Sequence, residues 1–326
     1  MIRFGLLGAG RIGQIHGRNI AASQAAQLVF VSDPMGEAAQ RLASATHARI
    51  AGLDEVVASD EVDAVIICTP TDTHAELIER AVAAGKAVFC EKPVDLSSDR
   101  IRATLGKIGD APLMIGFNRR FDPNFASLRH RIQDGVVGEV ELVTILSRDP
   151  SPPPVSYIER SGGLFRDMMI HDFDMARFLV GEEFTEVQAT GSALVDPAIG
   201  TAGDVDTAAV LLKTASGKIC QISCSRRATY GYDQRIEVHG SKGLLKAENV
   251  PQTTVVFASE AGVSADPVQN FFLERYARAY EHELNHFIDC LARGNAMQPS
   301  GEDGLRAGIL ADAATKSAQD GTLVRI

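Results

Sequence analysis

Paired cysteines are missing from this sequence. The chain has five cysteines, an odd number, and no two of them form a CxxC pair. This pattern disfavours a disulfide framework and a structural zinc site, and no other metal site is predicted. We expect buried, reduced thiols at Cys68 and Cys90, which lie in apolar runs, while Cys220 and Cys224 are expected to share one face of a strand.

An excess of basic residues and long apolar runs are also missing. Lysine and arginine number 32 against 42 acidic residues, and the net charge of −10 opposes binding to nucleic acid, which depends on basic patches. The sequence contains no run of 18 apolar residues, so no membrane span is predicted. Its first residues have the pattern of a strand rather than of a leader peptide. We therefore expect a cytoplasmic protein with neither a nucleic-acid nor a membrane partner.

What the chain does have is length and a glycine-rich turn. With 326 residues, 45% of them hydrophobic, it is expected to form two domains. An apolar strand at residues 2–7 leads into a GxGxxG motif and then a helix; the motif is Gly8, Gly10, Arg11, Ile12 and Gly13 with Ala9. Such glycines permit a tight turn, backbone approach to a pyrophosphate and close packing of helix on strand. The pattern indicates an N-terminal Rossmann domain with a doubly wound parallel sheet.

The cofactor preference depends on Asp33. This residue ends a second predicted strand, 20 residues after Gly13, where an acid accepts hydrogen bonds from ribose hydroxyls. A carboxylate at this point repels a 2′-phosphate, so the sequence favours NAD over NADP.

Two further strand ends are predicted to contact the cofactor. In a sheet of this kind ligands bind at the carboxyl ends of the strands. The strands at 64–68 and 87–90 end in turns that hold the candidates Thr69, Pro70, Thr71, His74, Glu91 and Lys92. A strand at 113–116 follows, and the first domain is predicted to end at residue 120.

Residues 121–326 are predicted to form a second, α+β domain. Strand-like runs at 135–149, 185–192, 206–214, 217–226, 232–240, 243–248 and 253–258 indicate a large, mostly antiparallel sheet with one open face. Helices are expected at 125–134, 271–293 and 302–319.

The stretch 161–180 of this domain combines a packing stripe with polar groups. A glycine turn is predicted to lead into one helix, on which Phe165, Met169, Phe173 and Ala176 form an apolar stripe. Asp167, His171 and Asp174 would share another face. Such a face is more often simply solvated, but the neighbouring motifs favour a catalytic acid and base.

A second motif, HExxH at 282–286, is typical of zinc peptidases. The helix that carries it has an apolar stripe that includes Tyr280, Leu284 and Phe287, and we expect His282 and His286 on the opposite, solvated side. No third ligand follows at the metzincin spacing, so peptidase activity is not predicted.

Over essentially its whole length the chain resembles the Gfo/Idh/MocA oxidoreductases. The segments that carry the resemblance are GLLGAGRIGQIHGRNI, ICTPTDTHAE, the EKP triplet at 91–93, GFNRRFDPNF and SRDPSPPPVSYIERSGGLFRDMMIHDFDMARFLVG. The last segment is typical of members that act on inositol. The resemblance implies an NAD-binding Rossmann domain and an α/β domain that pairs through its open sheet into homodimers or homotetramers.

The resemblance also implies residue roles. Lys92, Asp167 and His171 match the family's catalytic groups, which oxidise a ring hydroxyl of a small polyol, here myo-inositol, to a ketone. The polyol would be bound by Lys92, Asn118, Arg119, Arg148, Asp149, Tyr157, Asp167, His171, Asp174 and Tyr230. For Arg119 and Tyr230 a packing or interface role is an equal alternative.

Three rival functions stay open on the sequence. One is oxidation of another polyol or sugar, such as scyllo-inositol, glucose or galactose. Another is a non-catalytic, NAD-binding regulator. The third is the family's redox-neutral glycosidase branch, in which NAD is recycled.

Overall fold

The computed structural model describes residues 1–326, which fold into two compact units. The first unit comprises Met1–Phe121 and Ala279–Gly308, and the second comprises Asp122–Arg278 and Ile309–Ile326. Residues 279–308, which were predicted to belong to the second domain, thus pack with the first. None of the helices is both long and apolar enough to cross a membrane.

A six-stranded parallel sheet forms the centre of the first unit, in the order β3-β2-β1-β4-β5-β6. Its strands are β1 (Ile2–Leu7), β2 (Ala26–Ser32), β3 (Arg49–Ile50), β4 (Ala64–Ile67), β5 (Ala87–Glu91) and β6 (Leu113–Gly116). Its helices are α1 (Arg11–Ala22), α2 (Gly36–Thr46), α3 (Leu53–Ala58), α4 (His74–Ala83) and α5 (Ser98–Ile108). The predicted Rossmann architecture is confirmed, and the two-residue β3 is an addition to it.

The returning segment 279–308 completes the core of this unit. Phe4 and Phe89 from the sheet are fully buried, and they lie in one apolar cluster with Leu284 and Phe287 from the returning helix. The Phe287 ring stacks edge-on against Phe89 with 5.7 Å between ring centroids. The apolar stripe predicted for this helix is therefore real.

The second unit is built on a seven-stranded mixed sheet, in the order β12-β11-β7-β10-β9-β8-β15. Only β7 and β10 pair in parallel, so the predicted mostly antiparallel sheet is confirmed. Its strands are β7 (Val140–Arg148), β8 (Phe184–Ser192), β9 (Thr207–Thr214), β10 (Ile219–Ser225), β11 (Asp233–Gly240), β12 (Gly243–Ala247) and β15 (Val324–Arg325). In β9 buried and exposed residues alternate, as expected when one face of a sheet is covered.

The last predicted strand, at 253–258, does not join this sheet. Its residues contribute to β13 (Val256–Ser259), which pairs with β14 (Gly262–Ala265) in a separate and fully exposed hairpin. The predicted helix at 271–293 is also divided, into α11 (Phe272–Arg275) and α12 (Ala277–Arg293), and α13 (Gly301–Asp320) follows.

The single helix predicted within 161–180 is wrong. The segment that contains it forms α7 (Val155–Ser161), α8 (Gly163–Asp167) and α9 (Ile170–Val180), preceded by α6 (Pro123–Gln133) and followed by α10 (Pro197–Thr201). Gly162 and Gly163 have φ angles of 84° and 79°, a left-handed conformation that ends one helix and redirects the chain. Asp167 ends α8 and His171 lies in α9, so their spacing of four does not place them on one helical face. The apolar stripe of Phe165, Met169, Phe173 and Ala176 is nevertheless buried, as predicted.

Candidate functional site

The glycine turn after β1 is shaped for close approach of the backbone. Gly8 has a φ of +93°, and a Cβ there would come within 2.6 Å of the Cys68 backbone. A Cβ at Gly13 would overlap the carbonyl oxygen of Gly8. Both positions therefore require glycine, because a side chain at Gly8 would meet the backbone after β4 and one at Gly13 would push α1 away from the turn.

The middle glycine of the motif faces open space instead. A Cβ at Gly10 would meet no atom within 4 Å, and Gly10 caps α1 without any side-chain hydrogen bond. The first N–H groups of a helix lack intrahelical acceptors and attract anions. This turn can therefore hold the pyrophosphate of NAD, and the predicted neighbours Arg11 and Ile12 lie in the first turn of α1.

Asp33 connects the end of β2 to the glycine turn. One carboxylate oxygen accepts a hydrogen bond from the Ala9 backbone N–H at 2.6 Å, and the other accepts from the Met35 N–H at 2.7 Å. Each oxygen keeps a second lone pair. A carboxylate held in this way can accept ribose hydroxyls and would repel a 2′-phosphate, which fits NAD.

His74 joins the two turns that follow β4 and β5. Its side chain is buried, with Nδ1 at 2.8 Å from the Pro93 carbonyl oxygen and Nε2 at 2.7 Å from the Thr69 carbonyl oxygen. Burial lowers the pKa of His74, although both carbonyls favour the charged ring. Both ring nitrogens contact backbone oxygens of the protein, so His74 supports the cofactor turns that contain Thr69, Pro70 and Thr71.

Glu91 also points into the protein. Its carboxylate lies 2.7 Å from Nε2 of the fully buried His16. A carboxylate oxygen of Glu283, in α12, lies within 4.8 Å of the His16 ring nitrogen and of the Glu91 carboxylate. The neighbouring Lys92 is half-buried at the carboxyl end of β5. The strand end thus anchors Glu91 internally and presents Lys92 next to it. The sequence did not predict His16 or the position of Glu283 beside these groups.

In the second unit, Asp167 is held from two sides. The Tyr157 hydroxyl donates a hydrogen bond to one oxygen of Asp167 at 2.9 Å. The other oxygen lies 3.6 Å from Nη2 of Arg226, whose side chain is 1% exposed. Tyr157 was predicted as a substrate ligand, and its ring is half exposed, so it can serve both purposes. Arg226 was not predicted, because its only signal in the sequence is a position just after a strand.

The ends of β7 and β11 bring two predicted substrate ligands together. The Tyr230 hydroxyl accepts a hydrogen bond from Arg148 Nη1 at 3.0 Å and donates one to Asp233 at 2.6 Å. Burial raises the pKa of Asp233, but hydrogen bonds from Arg235, Tyr230 and Asn249 outweigh it and lower the pKa overall. Asp233, which sequence reasoning missed, therefore presents Arg148 and Tyr230 as a fixed pair of polar groups.

The remaining candidates differ in exposure. His171 is half-buried, whereas Asp174 and its neighbour Asp172 are fully buried. In the first unit, Asn118 and Arg119 are almost fully buried in a short 3₁₀ turn after β6. The burial of Asp174 favours a structural acid over a substrate contact.

The two histidines of the HExxH motif are not on a solvated face of the helix, contrary to expectation. Glu283 is fully buried beside His16 and Glu91. His282 and His286 are half-buried rather than solvated, and His282 Nδ1 lies 3.3 Å from the Phe121 carbonyl oxygen. The glutamate of the motif therefore belongs to the buried polar cluster of the first unit.

Known proteins match both parts of the chain. A model of the oxidoreductase family with an NAD-binding Rossmann fold matches residues 2–107, and one of the GFO/IDH/MocA C-terminal domain matches residues 125–246. The chain is 56% identical to inositol 2-dehydrogenase of Rhizobium meliloti (strain 1021) over 97% of this chain and 96% of the relative.

Solved structures match as well. The crystal structure of a myo-inositol dehydrogenase from Corynebacterium glutamicum is 46% identical, with a TM-score of 0.97 over 100% of this chain and 99% of that one. The structure of myo-inositol dehydrogenase from Lactobacillus casei in complex with NAD(H) and myo-inositol is 26% identical, with a TM-score of 0.89 over 100% and 97% of the two chains.

Proposed function

Because the chain belongs to the GFO/IDH/MocA oxidoreductase family, we propose that it is an NAD-dependent inositol 2-dehydrogenase. The reaction is oxidation of a ring hydroxyl of myo-inositol to the ketone, 2-keto-myo-inositol (scyllo-inosose). The observation that carries the proposal is the similarity over nearly the whole chain to relatives named for this reaction. The open glycine turn at Gly10 and the anchored Asp33 support NAD as the cofactor.

Bound NAD supplies the hydride acceptor, and the protein must move the hydroxyl proton. We assign this proton to His171, because an imidazole ordinarily titrates near neutral pH and can act as a general base there. Asp167 orients the imidazole and stabilises its charged form once the proton has been taken up. The hydrogen bond from Tyr157 fixes one oxygen of Asp167 for this purpose.

We assign to Lys92 the stabilisation of the polyol's hydroxyl oxygen as that oxygen loses its proton. An ammonium group beside that oxygen stabilises the negative charge that develops on it as the O–H proton is removed. The position of Lys92 directly after Glu91 supports this role, because the Glu91 carboxylate bonded to His16 holds the end of β5.

A polyol needs many polar partners, since its hydroxyls surround the ring. Arg148 and Tyr230 already form a hydrogen-bonded pair that could bind two neighbouring hydroxyls. Asn118, Arg119 and Tyr157 complete the proposed set of substrate ligands, together with the catalytic groups.

A spectrophotometric panel tests the function. Myo-inositol, scyllo-inositol, glucose and galactose are each incubated with the protein and with NAD or NADP, and reduced cofactor is measured. We expect the highest rate with myo-inositol and NAD. A higher rate with another polyol would replace the substrate. No reduced cofactor with any of them would favour an NAD-binding regulator, and product formation without free NADH would favour the redox-neutral branch.

We also propose a homodimer or homotetramer that works in the cytoplasm in myo-inositol catabolism. The uncovered face of the second sheet supports the assembly, because its apolar side chains are exposed: Leu142 by 37%, Leu211 by 49%, Ile219 by 42% and Leu244 by 44%. Light scattering after size exclusion tests it. A monomer at micromolar concentration would contradict the assembly, and Leu211→Asp should shift an oligomer toward smaller species.

A further inference from the structure

Arg226 is a buried cation without close hydrogen bonding at two of its nitrogens. It follows β10, its backbone N–H donates to the Asp206 carbonyl oxygen at 2.8 Å, and its side chain is 1% exposed. Nε and Nη2 are both buried and make no hydrogen bond. A buried charge is costly unless other charges compensate it. Its surroundings should therefore contain acids that depend on it.

Two carboxylates lie around the guanidinium. Nη2 is 3.6 Å from an oxygen of Asp167 and 4.0 Å from an oxygen of Asp204. Both separations exceed a hydrogen bond, so Arg226 acts on these acids through its charge rather than through a fixed donor.

Asp204 fixes the other end of the helix that carries Asp167. Both of its oxygens lie 3.1 Å from the Leu164 backbone N–H, at the start of α8. A Cβ at Gly163 would come within 2.6 Å of Asp204, so glycine there allows this close approach. The N-terminus of the short helix α8 is therefore bonded to Asp204, and its last residue is Asp167. Both acids face Arg226.

From this arrangement we infer that Arg226 is a positioning residue for the proposed oxidation: its buried guanidinium, balanced against Asp204, sets the electrostatic field at the Asp167 carboxylate, which is assigned to support His171. The inference rests on the proposed function.

Because Arg226 and Asp204 carry opposite charges, their substitution should shift the pH profile of kcat/KM in opposite directions. Arg226→Gln removes a positive charge, so the pKa of the base rises and the acid limb of kcat/KM should move up by about 0.5 to 1 pH unit. Asp204→Asn removes a negative charge, so the pKa of the base falls and the acid limb of kcat/KM should move to lower pH. Arg226→Lys keeps the positive charge, so its limb should stay in place.

The experiment measures pH profiles of kcat/KM for the wild type and these three variants. Arg227→Gln is the matched control, because Arg227 is the adjacent but exposed arginine and should leave the midpoint unchanged. NAD affinity and melting temperature are measured for each variant. If Arg226→Gln does not fold, Asp204→Asn still gives the sign of the charge effect, and Arg226→Lys shows whether a positive charge alone keeps the midpoint.

The outcomes separate the inference from the function. Shifts of opposite sign for Arg226→Gln and Asp204→Asn support it, whereas lower rates with unmoved midpoints show a merely structural arginine and overturn it. If the wild type oxidises no polyol, the proposed function fails, and NMR titration of the His171 imidazole in the same variants tests the electrostatic part directly. Equal His171 midpoints in all variants would overturn that part as well.

Discussion

Lys92 and His171 are the side chains on which the proposed chemistry depends most. Replacing either with alanine removes a group that acts on the reacting oxygen or its proton, while both are half-buried and neither completes a core cluster. We expect Lys92→Ala and His171→Ala to fold and to bind NAD, with kcat lowered about 10²- to 10³-fold. Stopped-flow and steady-state assays of NADH formation measure the loss.

His130→Ala is the matched control for His171→Ala. The His130 side chain is 77% exposed and pairs only with Asp134 at the surface. Its kcat should equal that of the wild type. Near-normal turnover in both Lys92→Ala and His171→Ala would remove these residues from the mechanism.

Two glycines of the same turn should respond differently to alanine. Gly10 has an ordinary φ of −66° and open space around its Cβ position, so Gly10→Ala should fold normally but bind NAD at least about tenfold more weakly. Gly13→Ala places a methyl group against the Gly8 carbonyl and should lower the melting temperature itself.

Calorimetry of unfolding and of NAD binding distinguishes the two effects. Unchanged NAD affinity in Gly10→Ala would show that the pyrophosphate does not approach this residue. An unchanged melting temperature in Gly13→Ala would show that α1 can move away from the turn at little cost.

At the scale of helices and strands, local signals and long-range contacts differ in how well they can be predicted. The Rossmann strands and the glycine turn depend on neighbours within about ten residues, and the sequence predicted them. The helix break between Asp167 and His171 falls at Met168 and Met169, whose backbone angles stay in the right-handed helical region, so an amphipathic pattern does not show it. Arg226 was missed because Asp167 and Asp204 lie on other elements, and Asp233 was missed because its contacts include Arg148 and Asn249 from elsewhere in the chain.

The start of α6 depends on a buried ion pair. Asp122 accepts hydrogen bonds from the backbone N–H groups of Asn124 and Phe125, and it also pairs with Arg275 of α11. Both side chains are almost fully buried, so Asp122→Asn leaves the Arg275 cation uncompensated. We expect the free energy of unfolding to fall by about 3 to 5 kcal/mol, measured by urea denaturation.

The exposed pair of Arg49 and Glu61 serves as the comparison. Its atoms are 2.6 Å apart, but both side chains are more than half exposed. Glu61→Gln should cost less than about 1 kcal/mol. Equal costs for Asp122→Asn and Glu61→Gln would mean that burial does not set the strength of these pairs.

For the whole molecule, stability should fall on mild acidification. Burial lowers the pKa of His74 and of His286 below the ordinary value of about 6.5. Between that ordinary value and the lower folded value, the unfolded chain binds more protons than the folded one, so the free energy of unfolding decreases as pH falls. We expect a lower melting temperature at pH 5.5 than at pH 7.5.

Substitution of single histidines checks this origin. His286→Asn should make the melting temperature less dependent on pH in this range, whereas His130→Asn at an exposed site should not. The same pH dependence in His286→Asn as in the wild type would assign it to other groups.

The return of residues 279–308 to the first unit also concerns the synthesis of the chain. Leu284 and Phe287 occupy positions among Phe4 and Phe89 that the first 121 residues cannot fill themselves. On the ribosome, where domains otherwise fold in order as they emerge, this N-terminal sheet must wait for nearly the entire chain before its core is closed. During that interval its apolar face is open to chaperones and to aggregation.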